Sequence, residues 1–291
     1  MTAAFAALYI ILVQVHYDLT YNRAIPDSER VYLMTLPSLG GSGLKQQSFL
    51  ARPVAEMGLA DNPYVETYGV AALDDVNKVN VIVGEGTAAK THSVTFAQMT
   101  SGALKTFGIQ VIMGSFEEIG EGGYVAISES AAERLGVAVD SVLQLESWGK
   151  TNYFVVRAIY KDLPVASDLK NIEVIRCNQL ETQDLTSTSN WSYNYYVKLR
   201  SIDDKTLCEE VISKKYAEIM AQELKRYRGM QHSDPSFYKQ LDKLETLLDN
   251  IHCTLMPIRD LYYDDTLDWS VGQETGNKTS TMTLMIVAAL I

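Results

Sequence analysis

Cysteine, histidine and basic charge are all scarce in this chain. Three cysteines in 291 residues, Cys177, Cys208 and Cys253, exclude a disulfide-dense secreted scaffold, and their spacing holds no zinc-binding pair. One disulfide with a third, free thiol is compatible with that count. The four histidines, His16, His92, His232 and His252, include no pair at the i, i+4 spacing of a helical metalloprotease site. His252 beside Cys253 gives two adjacent ligands without a second pair, so no metal site is expected. Lys and Arg number 25 against 36 Asp and Glu, for a net charge of -11. This excludes a nucleic-acid partner, which would need clustered cations to neutralise phosphates.

The motifs of common chemistry are missing as well. There is no Walker A loop, so the chain does not itself bind ATP by that device, and no G-x-S-x-G nucleophile elbow. The glycine-rich Gly40–Gly43 and Gly84-Glu85-Gly86 lack nucleotide spacing and read as loops and hairpin turns. Adjacent acids such as Asp74-Asp75, Glu117-Glu118, Asp203-Asp204 and Asp264-Asp265 point in different directions and read as solvated surface. The expectation is therefore no catalytic, cofactor-binding or metal-binding residue, and a protein that is not an enzyme.

What is present is apolar. Hydrophobic residues make up 47% and charged residues 21%, enough for a real core in one large domain or two ordinary ones. Residues 1–16, MTAAFAALYIILVQVH, carry no charge before Asp18, and the last ten, MTLMIVAALI, follow the last charge, Lys278. Each run is shorter than the ~20 apolar residues that cross a bilayer, yet each stops at a chain end. The expectation is a piece cut through two membrane helices, the first leaving the membrane near Tyr17 and the second entering near Thr279. A signal peptide is the rival reading of the N-terminus, but no Lys or Arg precedes Arg23. Two buried core helices are the bland alternative. If both spans are real, residues 18–278 start and end on one side of the membrane, and a loop that long escapes the positive-inside rule.

Between the ends the pattern is mixed. Tyr17 and Tyr21 are four apart, so on a continuing helix they share a face. Strands are expected at Val31–Leu36, Tyr64–Leu73, Val79–Val83, His92–Gln98, Ile109–Met113, Tyr124–Ile127, Val142–Glu146, Asn152–Tyr160, Tyr193–Leu199 and Thr254–Ile258. Residues 44–58 suggest a helix interrupted at Pro53. Ser128 is placed to cap a helix that runs to Leu135 and stops at Gly136. Over 203–228 the apolar residues Leu207, Val211, Ile212, Tyr216, Ile219, Met220, Leu224 and Tyr227 recur at helical spacing, with Asp203 or Asp204 as cap. A second helix follows, capped by Asp234 with Pro235 in its first turn. The tyrosines around Trp191 read as strand packing rather than a binding surface. The fold class is α+β.

Six segments stand in order along the chain: YDLTYNRAIPDSERVYL (17–33), Phe107-Gly108-Ile109 to Gly114, Val125–Ser130 with Leu135-Gly136, Ala158–Pro164 with Ser167, Tyr196–Leu199, and Gly276-Asn277-Lys278. Taken in that order they resemble the FtsX-like, MacB-type ABC transporter permeases, whose Tyr-acid-x-x-Tyr segment after the first membrane helix is similar to 17–33. Asn22 stands where the family has Asp, and Ala158 where it has Gly. The resemblance implies a MacB-type periplasmic core with a porter-like α+β subdomain in halves 23–114 and 165–275. A β-rich insert, 115–164, would separate them, with truncated transmembrane helices at 1–17 and 279–291. It implies a role in passing ATP-driven motion across the bacterial inner membrane, for efflux or envelope remodelling, with this domain periplasmic. It also implies a cytoplasmic ABC ATPase that binds the ATP, a second permease in a homodimer or heterodimer, and a periplasmic adaptor. Tyr17, Asp18, Tyr21 and Arg23, with the segment after Asp268, are the candidate stalk coupling residues. The alternative is a membrane-anchored sensor domain.

Overall fold

The computed structural model describes residues 2–37, 46–84, 86–117, 122–147, 150–230, 235–248, 251–267, 272 and 274–290. Gly40–Gly43, Glu85, Glu118, Trp148-Gly149, His232, the Asp234 cap and residues 268–271 and 273 lie outside them. In chain order the elements are α1 (Thr2–Thr20), β1 (Val31–Pro37), β2 (Gln46–Gln47), β3 (Phe49–Leu50), α2 (Arg52–Leu59), β4 (Val65–Val83), β5 (Lys90–Met99), α3 (Ser101–Thr106), β6 (Val111–Gly114) and β7 (Tyr124–Ser128). Then follow α4 (Glu129–Leu135), β8 (Val142–Ser147), β9 (Lys150–Tyr160), β10 (Val174–Arg176), α5 (Asn178–Thr182), β11 (Tyr193–Leu199), α6 (Lys205–Arg228), α7 (Pro235–Leu248), β12 (Thr254–Pro257) and α8 (Lys278–Leu290). The result is a mixed α+β fold on one mixed sheet.

One part of that sheet runs β12-β1-β11-β4, each neighbour antiparallel. β1 and β4, joined through α2, are therefore parallel with β11 between them. β11 and β12, joined through α6 and α7, are parallel with β1 between them. This is the split β-α-β arrangement of ferredoxin-like folds. Its helices cover one face, where Tyr195, Val197 and Leu199 of β11 meet Ile212 and Tyr216 of α6. On the other face Tyr196 packs against Phe107, with ring centroids 4.9 Å apart. β11 is buried along its whole length because both of its faces are covered.

The second part lies in the connection between β4 and β11. Here β4 pairs with β5, β5 with β10, β10 with β7, β7 with β9, β9 with β8, and β8 returns to β4. That circuit is a small closed barrel, which removes strand edges. Val81, Val94, Val125, Phe154 and Val156 fill it, with Ala131 and Leu135 of α4. β6 attaches outside the circuit, to the upper end of β9.

Local chemistry explains several boundaries. Ser128 caps α4 by accepting from Ala131 N, and Gly136 ends it at φ 66°. The expected helix over 44–58 is corrected to two short strands followed by α2, because Pro53 is accepted only in the first turn of a helix. The separate strands at 64–73 and 79–83 are one strand, β4, with a register break between Ala72 and Asn77. Asp204 stands at the N-cap of α6, as expected, but makes no side-chain cap bond to it; its carboxylate instead completes a capping box with Ser201, which caps the short 3-10 turn ahead of the helix. α3, β10 and α5 were not anticipated. α3 is capped by Thr100 and lies so close to β4 that a Cβ on Gly69 would overlap the Ala103 backbone nitrogen.

α1 continues to Thr20, and α8 begins at Lys278. Among the described residues no helix is long and apolar enough to cross a membrane. The two helices pack against each other. Phe5, Tyr9 and Ile10 of α1, and Met282, Ile286 and Leu290 of α8, are largely exposed.

Candidate functional site at the helix roots

Among the described residues, a dense set of long-range polar contacts lies where α1 and α8 meet the domain. α1 ends in a turn that puts Asn22 at φ 59°, a left-handed conformation that asparagine tolerates better than most residues. From there its amide reaches two distant segments. Nδ2 donates to Asp168 Oδ2 and to the Ile258 carbonyl, each at 2.8 Å, and Oδ1 accepts from Asp168 N at 2.9 Å. Its backbone N–H donates to the Ala166 carbonyl at 2.8 Å. Asn22 is 1% exposed, so each of these bonds replaces one that water cannot supply.

Tyr21 donates to Asp168 Oδ1 at 3.1 Å. Its ring stacks on Tyr262 at 4.1 Å, and Tyr17 meets it edge-on at 5.7 Å. Asp18, itself buried, joins the two helices. Its Oδ2 accepts from Thr281 Oγ1 of α8 at 2.6 Å, and its Oδ1 accepts from Tyr262 at 2.9 Å and from Gln14 at 2.8 Å. Tyr263 donates to the same Thr281 hydroxyl at 3.2 Å. Burial, followed by the carboxylates beside them, pushes the Tyr21 and Tyr262 phenols far above their ordinary value, so both stay protonated donors. Gly276 N donates to the Tyr262 carbonyl at 2.6 Å, and a Cβ there would overlap the Tyr262 ring. At the rim Tyr17 donates to Glu274 at 2.8 Å, and Lys170 pairs with Glu274.

A second layer fixes the chain just beyond the turn. Lys198 of β11 pairs with Asp27 at 2.7 Å and with Glu66 at 3.3 Å, while Arg30 pairs with Glu66 at 2.5 Å and with Asp27 at 3.0 Å. Arg259 holds Glu29 at 2.6 Å. Hydrogen bonding from Lys198 holds the Asp27 carboxyl below the usual carboxylate range. Burial pushes Glu66 up, but its bonds to Arg30 and Lys198 outweigh this and its pKa is also lowered.

Of the residues singled out from the sequence, Tyr17, Asp18 and Tyr21 meet in this collar. Arg23 does not. It is exposed and caps α1 by donating Nε to the Leu19 carbonyl at 2.8 Å. Sequence reasoning missed Asp168, Lys170 and Thr281, and named Asn22 only as a departure from a motif. Tyr262 and Tyr263 are neighbours in the sequence, just before Asp264. Asp168 carries no local signal, because its role exists only once residue 22 is beside it.

Cys177, Cys208 and Cys253 are free and buried. Burial pushes Cys208 and Cys253 up to about 12, and Cys177 higher, which suppresses the reactive thiolate. Among the described residues no three metal-ligating side chains converge. The buried Arg52 guanidinium is taken up by Glu56 Oε1 at 2.7 Å and by Tyr195 at 3.3 Å.

The fold has counterparts among solved structures. No protein-family model matches the chain, and no curated protein does. The chain is similar to a domain of a protein assigned as a permease in Porphyromonas gingivalis. The TM-score is 0.52 at 17% identity, covering 84% of this chain and 95% of that one. It also aligns with the extracellular domain of the noncanonic ABC-type transporter YknZ from Gram-positive bacteria, at a TM-score of 0.43 and 14% identity over 66% of this chain and 95% of that one. The class so defined is a mixed α+β domain that shares its fold with the P. gingivalis domain.

Proposed function

We propose that this chain is the extracytoplasmic domain of an FtsX-like, MacB-type ABC transporter permease. It would couple ATP-driven movement of two membrane-embedded helices to the outer face of a bacterial inner membrane, for efflux or envelope remodelling. ATP is bound by a cytoplasmic ABC ATPase, a second permease completes a homodimer or heterodimer, and a periplasmic adaptor meets the distal end. In this reading the porter-like halves 23–114 and 165–275 flank a β-rich insert, 115–164, and the chain carries no catalytic site of its own.

One observation carries the proposal: α1 and α8, from opposite ends of the chain, are joined to each other and to the domain through one buried polar collar. A carboxylate shared between two helices resists their sliding, because any shift strands buried donors. The fold likeness to a permease domain supports the same reading. The test is purification of the full-length protein from native membranes, with identification of co-purifying proteins and an assay of ATP turnover. The expected result is an ABC ATPase partner whose turnover loses its dependence on this domain when Asp18→Ala is introduced. A stable membrane protein without an ATPase partner would overturn the reading in favour of a sensor.

A further inference from the structure

The surface beside the root of α1 is unusually apolar. Val165 is 73% exposed, and it adjoins Ala166, whose carbonyl takes the Asn22 N–H. It therefore lies level with the end of α1, where Leu19 is also exposed. A cleft of about 240 Å³ opens next to it, between Pro26, Ile109, Leu163 and Pro164, with Lys161 and Asp162 in its wall. The Lys161 N–H donates to the Gln110 carbonyl at 2.9 Å. That leads directly into β6, where Val111, Ile112 and Met113 are 38%, 49% and 55% exposed.

We infer that this apolar shelf is a lipid-contact surface, resting on the headgroup region of an anionic phospholipid bilayer. The inference rests on the proposed function, in which α1 and α8 enter a membrane. Three observations favour lipid over a protein. Val165 stands beside the Asn22–Ala166 contact at the end of α1, where Leu19 is exposed, and α1 and the α8 helix packed on it carry exposed apolar side chains of their own. Lys161 and Arg23, both exposed, stand beside it as cations for anionic headgroups, while the one carboxylate in the cleft wall, Asp162, is turned to Ser130, accepting from its N–H at 3.1 Å and its hydroxyl at 2.9 Å. β6 has an irregular register between Val111 and Met113, which spoils the edge for an added protein strand.

The native thiols are buried, so a thiol-directed fluorophore on an introduced cysteine labels that site alone. The full chain would be reconstituted in phosphatidylglycerol–phosphatidylcholine vesicles with acyl-brominated lipid as quencher, and labelled at Val165→Cys, Ile112→Cys, Ile10→Cys or Tyr153→Cys. Tyr153 is 61% exposed and lies seven residues from Tyr160 along β9, roughly 23 Å away. We expect the Val165 and Ile112 labels to be quenched severalfold more than the Tyr153 label, and Lys161→Glu to reduce that quenching. Quenching of the Ile10 label alone would overturn the shelf and leave the membrane reading intact. An unquenched Ile10 label would overturn both. Blue-shifted emission at residues 112 and 165 without quenching would mean that protein covers the patch, and would also overturn the proposal.

Discussion

β4 and β5 run through two different environments, and the same pair of strands behaves differently in each. In its first half, up to Leu73, β4 is mostly buried, lying against β11 and under α3. Past the register break at Ala72/Asn77 it alternates, with Val81 turned into the barrel, Val79 and Val83 half-buried against the same core, and Asn77, Lys78 and Asn80 exposed. The first half belongs to a sheet covered on both faces and tied to the helix roots. The second encloses its core by pairing in a circle, so one face suffices. The sheet unit is therefore the part tied directly to the helix roots, and the barrel joins it through β4.

Breaking the comparison at its tightest point should have the largest effect. Gly69→Ala has no room against the α3 backbone. It should cost more than about 4 kcal/mol and leave little folded protein, as read by circular dichroism and thermal melts. Asn22→Ala should cost about 3 kcal/mol, since it strands buried partners on two segments and puts alanine in a left-handed turn. Asn22→Gly, which relieves only the turn, should recover part of the loss in denaturant melts. Phe154→Ala, inside the barrel, should cost about 3 kcal/mol as well. Its signature in hydrogen exchange should be confined to β7–β9, with the sheet around β11 still protected; loss of protection in both units would show that they unfold as one. A smaller effect is expected from acid. The Asp27 and Glu66 carboxyls are depressed in the folded state. Their contribution is therefore complete above the unfolded values of about 4 and is lost as pH falls through and below them. Melting temperature should drop between about pH 5 and pH 3, and Lys198→Met should flatten that slope. The smallest effect belongs to Arg228→Ala, whose pairs with Asp242 and Glu245 are exposed. It should leave the same melts essentially unchanged.

Legibility in the sequence follows the range of the interactions. α6 could be read because its stripe, with Ile212, Tyr216 and Ile219 buried, repeats within one element. α4 could be read because its start and stop are single residues with local chemistry. α3 could not, since its six residues are too few for a period and its place depends on two glycines. A helix interrupted at Pro53 was expected over 44–58, but β2 and β3 form there because the ends of two interior strands, Leu36-Pro37 of β1 and Tyr193-Asn194 of β11, run past their other pairings and take them up. At the candidate site Tyr17 and Tyr21 could be paired from helical spacing, while Arg23, adjacent in sequence, turned out to face away.

The sequence by itself determined that the chain is α+β, acidic, apolar at both ends and without a common catalytic motif, since composition and short-range spacing carry that information. Only the tertiary structure decided that the inserted strands close into a barrel, and that Asp18 bridges α1, Tyr262 and Thr281. It also decided that Asp168 receives Tyr21 and Asn22. Those contacts join residues more than a hundred positions apart. A buried carboxylate acquires its donors only when the folded chain delivers them, and no local pattern records where they come from.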